Sequence, residues 1–481
     1  MVTPKMSKES TPTQSVGTAP DAGAWATIKL ALTGKELEFT TGPIGRAIVL
    51  LAIPMVLEMV MESVFALTDA FFVSRLGTDA VATVGLTEAM ISILFAVAIG
   101  SGMATTAMVA RRIGEKNIAG ARVAAAQSIL LGLILTLVVA LPGVLFAKDL
   151  LRLMGGTPEL IASGHGYTRV LFGGSATIML LFLLNAVFRG AGDAAVAMRV
   201  LWIANAVNIV LDPCLIFGIG PFPELGVTGA AIATTIGRGV GVLIQFWVLF
   251  RGSSRIHVRW PHLVPRPMII LRLFRLSVGG ILQILIGTTS WVVLVAIIGG
   301  FGPAAVAGYT LAIRLIIFAI LPSWGLANAA ATLVGQNLGA DQPDRAEISV
   351  WWAGIYNMAF LLGVAVVFIA AAAPLIRIFS VEPEVVRYGV ACLRWVSFGF
   401  PFYAWGMVME QAFNGAGDTY TPTVINIFCY WIFQLPLAYL FAYRTGLGPT
   451  GVFIAITAAE SLIAVVALLV FRRGKWKLRE V

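Results

Sequence analysis

The chain has 481 residues, of which 59% are hydrophobic and only 12% are charged, and its formal net charge is +9 at pH 7. Soluble domains carry about 25% charged residues, so this composition excludes an ordinary soluble protein. The basic residues fall mainly in alternate loops between apolar runs, which indicates the orientation signal of a membrane protein and not nucleic-acid binding.

The first forty residues are rich in Ser, Thr, Pro and Gly and predict a tail with a short surface helix at 28–39, not a signal peptide. Twelve apolar runs follow, each long enough to cross a bilayer as a helix. They are continuous and not alternating, which favours helices over a barrel. The predicted spans are 46–75, 81–110, 122–147, 163–188, 196–219, 226–250, 269–299, 304–335, 349–373, 387–413, 421–443 and 449–472.

Two motifs occur twice at one spacing. Phe188–Asp193 returns as Phe413–Asp418, a shift of 418 − 193 = 225 residues, and the same shift carries Ile113-Gly114 onto Leu338-Gly339. Repeated halves in an apolar chain are typical of transporters built from two lobes around a cavity. The loops at 190–193 and 415–418 are interpreted as tight turns, without a ligand.

Each half holds six spans and so returns to its starting side, which predicts a pseudo-two-fold axis along the membrane normal. We therefore predict an all-α membrane protein of about twelve transmembrane helices in two six-helix lobes. The positive-inside rule places both termini in the cytoplasm of a multi-pass cell-membrane protein. The predicted divisions are an N-terminal tail (1–41), an N-terminal lobe (42–250), a cytoplasmic linker (251–268), a C-terminal lobe (269–473) and a basic tail (474–481).

Enzymatic motifs are missing from the sequence. The three cysteines and three histidines have no disulfide or metal spacing, and no P-loop, GxSxG or HExxH motif occurs. The sequence therefore predicts neither an enzyme nor an ATP-driven pump, and no cofactor other than a coupling ion.

Three acids lie inside the first span, where a carboxylate costs roughly 2.5–3.5 kcal/mol on insertion scales. Glu58, Glu62 and Asp69 project within about 40° of one another on a helix, so they share one face. That face must meet other helices or water. None of the three has an ionisable counterpart in the second half, which predicts ion coupling in the N-terminal lobe.

The fifth span carries Asn205, Asn208 and Asp212 on one face, followed by Pro213, and the sixth span adds Thr234. If these faces meet the acids of the first span, carboxylate, amide and hydroxyl oxygens converge. Such a pocket suits a hard monovalent cation, for which oxygen ligands are favourable, or a proton, which burial of a carboxyl group favours.

Further polar and apolar side chains are candidates for the substrate cavity. Glu410 is interpreted as a second titrating site, a substrate contact or a partner of Arg394, whereas Arg238 and Glu460 occupy matching positions and are interpreted as structural pairs. Methionine and aromatic side chains predict a broad, adaptable wall, and acids there would attract cations. The remaining cavity candidates are Glu58, Gln283, Met59, Phe65 and Trp291.

Seven motifs together resemble the multidrug and toxic compound extrusion (MATE) family, of the multidrug/oligosaccharidyl-lipid/polysaccharide flippase superfamily, over residues 42–472. The motifs are Thr41-Gly42-Pro43, Pro54, Asp69–Gly77, Ala186–Asp193, Asn208-x-x-x-Asp212-Pro213, Gly226–Thr234 and Gln411–Thr419. The resemblance implies a V-shaped pair of six-helix lobes that exports organic, often cationic and amphipathic compounds against inward Na⁺ or H⁺.

The same resemblance implies a cation site at Asp69, Asn208, Asp212 and Thr234, with Asn185 as a neighbouring polar position. Glu62 stands where many members have Gln, which implies extra proton chemistry. We expect a monomer whose partners are the lipid bilayer and amphipathic substrates. A flippase for lipid-linked saccharides, a non-transporting receptor or scaffold, and an intramembrane enzyme are the alternatives; the inner acids argue against the first, and the last lacks a visible nucleophile–base or metal set.

Overall fold

A computed structural model describes residues 14–15, 24–34, 37–251 and 254–481. A short helix, α1 (Ala24–Thr33), precedes the membrane helices, and two short parallel strands, β1 (Gln14–Ser15) and β2 (Leu37–Glu38), pair beside it. The surface helix predicted at 28–39 thus starts earlier and stops sooner, because Gly34 adopts a left-handed φ of 66° directly after Thr33. The rest of the predicted tail, 1–13 and 16–23, lies outside the described residues.

The first half of the chain forms eight helices, which we call the N-lobe. They are α2 (Ile44–Ser74), α3 (Thr78–Gly114), α4 (Ile118–Leu145), α5 (Ala147–Leu153), α6 (Pro158–Gly173), α7 (Ser175–Ala191), α8 (Ala194–Phe217) and α9 (Gly226–Arg251). A 3₁₀ turn at Trp260–Leu263 lies in the segment that leads to the second half.

The second half, which we call the C-lobe, forms nine helices. They are α10 (Pro267–Gly299), α11 (Pro303–Gly339), α12 (Pro343–Ala370), α13 (Ala372–Arg377), α14 (Pro383–Phe398), α15 (Phe400–Gly415), α16 (Tyr420–Asn426), α17 (Leu435–Tyr443) and α18 (Pro449–Arg472). A π-helical segment, Ile427–Gln434, joins α16 to α17, and a 3₁₀ turn follows at Lys475–Leu478.

Eleven helices in the described part of the chain are long and apolar enough to cross a membrane. The remaining predicted span, 387–413, corresponds to α14 and α15, which meet at Gly399. The matching break in the N-lobe lies between α6 and α7 at Gly174, and 399 − 174 = 225. The predicted all-α membrane fold is confirmed, with the tenth span divided in two.

Glycines that face the opposite lobe reveal the internal symmetry. A Cβ on Gly100 would strike the backbone of Ile281, and a Cβ on Gly325 would lie 2.6 Å from the backbone oxygen of Met55. Both members of each contact are related by the 225-residue shift, give or take one residue (325 − 100 = 225; 281 − 55 = 226). Two matching contacts between lobes are what a pseudo-two-fold axis through the molecule requires.

A second symmetric pair lies where α3 and α11 end. Gly114 approaches the backbone of Gln336, and Gly339 approaches the backbone of Arg111. This end of the molecule also carries the basic loops, so we call it the basic end. At the other end the added Cβ atoms would meet open space, and the lobes lie apart there; the glycines concerned are Gly77, Gly85, Gly299 and Gly302.

The aspartates of the repeated motif hold the segments that follow each lobe. Asp193 accepts hydrogen bonds from the Ser254 hydroxyl at 2.6 Å and from the Arg255 backbone N–H at 3.2 Å. Asp418 pairs with the Arg479 guanidinium at 3.2 Å, and both partners lie 61 residues downstream (254 − 193 and 479 − 418). The interpretation of these loops as turns alone was therefore incomplete.

Both chain ends also bridge the lobes at the basic end. Phe39 is 2% exposed and packs against Gly192 of the N-lobe, while Arg345 of the C-lobe donates to its backbone oxygen at 3.3 Å. Val481 is 6% exposed and packs against Gly417 of the C-lobe, while Arg112 of the N-lobe donates to its backbone oxygen at 3.0 Å. Gly192 and Gly417 have φ near +90°, so both turns need glycine.

Candidate functional site

Helix α2 lies at the junction of the two lobes and presents a different face to each. Its apolar residues, such as Ile48 and Met55, are buried in one cluster with Leu333 of α11. Its polar side chains point toward α7, α8 and α9 of its own lobe. The predicted common face of acids therefore looks into the N-lobe and not at lipid.

Glu58 is 1% exposed and is compensated by two partners. The amide of Asn185 donates to its Oε1 atom at 2.9 Å, and Arg189 lies 3.4 Å from the same oxygen. Asn185 in turn accepts a hydrogen bond from Gln245. The first acid of α2 thus belongs to a buried polar network that includes a guanidinium.

Glu62 is paired in the same way. Its carboxylate lies 3.7 Å from the guanidinium of Arg238 and accepts a hydrogen bond from Asn205 at 3.3 Å. Arg238 lies 5.5 Å from the ring centroids of both Phe65 and Phe95, so two aromatic faces support its charge. Phe65, predicted to face the substrate, instead packs behind this arginine.

A cavity of about 230 Å³ lies between the lobes and is bordered by both ion pairs. Its charged lining consists of two glutamates and two arginines, so its formal charge is zero. The cavity is therefore not the net acidic one that the sequence predicted. Its other lining includes Met59, Phe95 and Phe182 from the N-lobe and Trp324, Asn328, Gln411 and Asn414 from the C-lobe.

Asn208, Asp212 and Thr234 meet as predicted. The Asn208 amide donates to Asp212 at 3.4 Å and to the Thr234 hydroxyl at 3.2 Å, and helix α8 continues unbroken through Pro213. Asp69 of α2 lies close enough for its charge to act on Asp212. We call these four residues the acidic cluster.

Two oxygens of the acidic cluster lack partners. Asp212 Oδ2 and Asn208 Oδ1 are buried and accept no hydrogen bond from any described residue. Buried acceptors are normally satisfied, so each of these atoms calls for a partner of its own. A hard cation such as Na⁺ binds oxygen ligands, and a proton on Asp212 would also satisfy the carboxylate.

A further acid near this cluster was missed by the sequence interpretation. Glu88 of α3 lies close enough for its charge to act on Asp69, and across the lobes it experiences the charge of Arg314. Its only signal in the sequence was a single carboxylate in an apolar run, with no second acid on the same face.

The C-lobe holds a second cavity of about 370 Å³, which adjoins the first at Met103, Trp324 and Gln411. Gln283 donates to Glu410 at 3.4 Å, and Tyr430 donates to Glu460 at 2.9 Å. Trp291 also lines this cavity. Arg394, a predicted partner of Glu410, instead donates to the backbone oxygen of Ile369. Glu460 and Arg238 are not paired with each other; each has its own partner.

Comparison with known proteins identifies the family. The MatE family profile matches residues 54–214 and 281–440, which is more than half of the chain and one match for each lobe. The chain belongs to the MATE family. This is a family of transporters, as the resemblance implied, and the protein is not an enzyme.

Two curated MATE-related proteins cover nearly the whole chain. A probable multidrug resistance protein, NorM, of Thermotoga maritima is 28% identical over 442 residues, which cover 91% of this chain and 94% of the relative. An FAD transporter of Shewanella oneidensis is 28% identical over 452 residues, which cover 90% of this chain and 95% of the relative. Relatives with two different substrate descriptions are thus equally similar.

A solved structure described as the outward-facing conformation of a multidrug resistance MATE transporter superimposes with a TM-score of 0.85 at 27% identity. The match covers 94% of this chain and 99% of that structure. The two-lobed MATE fold therefore extends over the full membrane region described above.

Proposed function

We propose that the protein is a secondary active exporter, which moves amphipathic organic compounds outward in exchange for inward Na⁺ or H⁺. The acidic cluster carries this proposal. A buried carboxylate with an unsatisfied oxygen, next to an unsatisfied amide oxygen and a second acid, is poised to take up a cation. No comparable need for these groups arises from packing alone.

Cation uptake would bias the packing of the lobes through electrostatics. A charged carboxylate sealed in a bundle away from water costs roughly 2.5–3.5 kcal/mol on insertion scales. Binding of Na⁺ or H⁺ to Asp212 neutralises this charge, so the occupied site favours closure of the open end. Substrate and cation then favour different states of one conformational equilibrium, which couples their movements.

The basic end is proposed to face the cytoplasm, with both termini on that side of the cell membrane. Its arginines follow the positive-inside rule. Because the lobes are in contact at this end and apart at the other, the structure corresponds to a state open to the outside. The similarity to an outward-facing MATE structure supports this orientation. We propose that the monomer is the functional unit.

The substrates are proposed to be amphipathic compounds with an aromatic part. Met59, Phe95, Phe182 and Trp324 offer apolar contact in the first cavity. An amine on the substrate would replace Arg238 as the partner of Glu62, so a cation can bind although the cavity is neutral overall.

A second candidate is export of compounds that carry a pyrophosphate. Arg189 and Arg238 border the cavity, and a guanidinium binds phosphate oxygens well. One relative is described as an FAD transporter. The inner acids argued against a lipid-linked saccharide flippase, but pairing of those acids with arginines weakens that objection.

Efflux of a cationic dye from proteoliposomes under an imposed Na⁺ or pH gradient tests the primary proposal. We expect Asp69→Asn and Asp212→Asn to insert normally and to lose efflux driven by the coupling gradient. Asp149→Asn, which changes an exposed acid that pairs only with Arg152 among the described residues, is the matched control and should transport normally.

The same vesicles separate the outcomes. Loss of efflux under only one type of gradient identifies the coupling ion. Full gradient-driven efflux by both cluster variants would refute the site assignment. Competition by FAD that is abolished in Arg238→Gln, with dye efflux retained, would favour the second candidate.

A further inference from the structure

A third cavity, of about 470 Å³, lies at the basic end where the N-lobe meets the C-lobe. The N-lobe contributes the end of α3 and the first turns of α4, and the C-lobe contributes the first turns of α10. Its polar lining consists mainly of Arg112, His262, Arg266 and Arg272. The cavity is separate from both central cavities and plays no part in the transport cycle proposed above.

The positive charge of this cavity is largely uncompensated. Within the described residues, no carboxylate lies within 4 Å of Arg266 or Arg272, whereas Arg112 contacts Glu115 at 2.7 Å. Glu115 is itself shared with Arg111 at 3.7 Å. The pKa of His262 is lowered by burial and by the surrounding cations, Arg122 first among them. A concave site with excess guanidinium charge attracts a phosphate-bearing anion.

The surroundings of the cavity favour a lipid over a soluble phosphate compound. Apolar side chains next to it are turned outward: Trp260 is 81% exposed, Met268 79% and Val264 60%. Exposed tryptophan at the end of a membrane helix is typical of the headgroup region of a bilayer. Met108 and Ile269 line the cavity itself, so it has an apolar wall that a free phosphate ion would not need.

We propose that this cavity binds the headgroup of an anionic phospholipid, with Arg266 and Arg272 contacting the phosphate. The apolar wall receives the glycerol end of the acyl chains. Because residues of both lobes form the cavity, the bound lipid also ties the lobes together at the basic end. Arg112, which holds the backbone oxygen of Val481, places the lipid beside the C-terminal segment that bridges the same seam.

Thermal unfolding of the detergent-solubilised full chain, titrated with lipid, tests this inference. We expect phosphatidylglycerol to raise the unfolding midpoint and phosphatidylcholine or inorganic phosphate to leave it unchanged. Two arginines near a membrane surface contribute about 1 kcal/mol each, so Arg266→Gln/Arg272→Gln should weaken phosphatidylglycerol binding about 30-fold. The control, Arg472→Gln/Arg473→Gln, alters exposed arginines of the same end outside the cavity and should keep the wild-type response.

Equal shifts with phosphatidylglycerol and phosphatidylcholine would overturn the proposal, as would a double variant with wild-type affinity. Protection by inorganic phosphate alone would show a soluble-anion site and also refute it. If the double variant does not fold, each single variant should weaken binding about fivefold. Transport coupling is not measured here, so the result is independent of the function proposed above.

Discussion

Gly325→Ala places one methyl group between the lobes and should shift the protein away from closure at the basic end. The added Cβ would lie 2.6 Å from the backbone oxygen of Met55, 2.8 Å from its carbonyl carbon and 2.9 Å from the backbone nitrogen of Val56. Real Cβ contacts do not fall below 3.0 Å, and backbone atoms of a helix cannot rotate aside. Helix α11 must therefore move away from α2.

The size of the effect follows from overpacking. Extra methyl groups in a well-packed interior cost about 1–3 kcal/mol. The cost applies only while the lobes touch, so a state with separated lobes should gain about 5- to 150-fold in relative population. Gly100→Ala, the symmetry-related change at the contact with Ile281, should act in the same direction.

Spin labels at positions 119 and 344, which are related by the 225-residue shift and exposed at the basic end, can report this movement. The native cysteines, Cys214, Cys392 and Cys429, are replaced first. We expect a longer inter-label distance to gain population in Gly325→Ala. Gly363→Ala is the matched control, because its Cβ meets no atom within 4 Å. A distance distribution identical to wild type in Gly325→Ala would refute the proposed hinge-like opening.

Three further changes probe the site and the bridging segments. Arg238→Gln leaves Glu62 without its guanidinium, and a lower unfolding midpoint, worth about 1–3 kcal/mol, is expected in calorimetry; no change would mean that the pair is not stabilising. Phe39→Ala removes a side chain that is 2% exposed, so a loss of about 3–5 kcal/mol and a longer distance between the same labels should appear together. Glu460→Gln still accepts from Tyr430, so gradient-driven dye efflux should survive; its loss would move coupling to the C-lobe.

Much of the fold could be predicted because bilayers allow few solutions. Apolar runs must become helices, and an exact repeat spacing such as 188–193 with 413–418 forces two similar lobes. The meeting of Asn208, Asp212 and Thr234 also followed, because helix periodicity fixes which side chains share a face. The π-helical segment 427–434 was not foreseen, since apolar composition does not distinguish it from an ordinary helix.

Partners across helices could not be predicted. Glu58 and Arg189 are 189 − 58 = 131 residues apart, and nothing in either run states that their side chains meet. Glycines were likewise interpreted as turn residues, although Gly114 and Gly339 bring the two lobes into backbone contact. Both errors have the same origin: periodicity gives the face of a helix but not the element that covers it.

The acids of α2 therefore divide into two groups with different roles. Glu58 and Glu62 are neutralised by arginines at the edge of the substrate cavity, whereas Asp69 lies beside the unsatisfied oxygens of Asp212 and Asn208. Asp69 is seven residues beyond Glu62, about 10 Å along a helix. Because α2 is continuous over this distance and also packs on α11, any displacement caused by a cation at Asp69 reaches both the Glu62–Arg238 pair and the contact between lobes. One helix can thus couple cation binding to substrate affinity without a contact between cation and substrate.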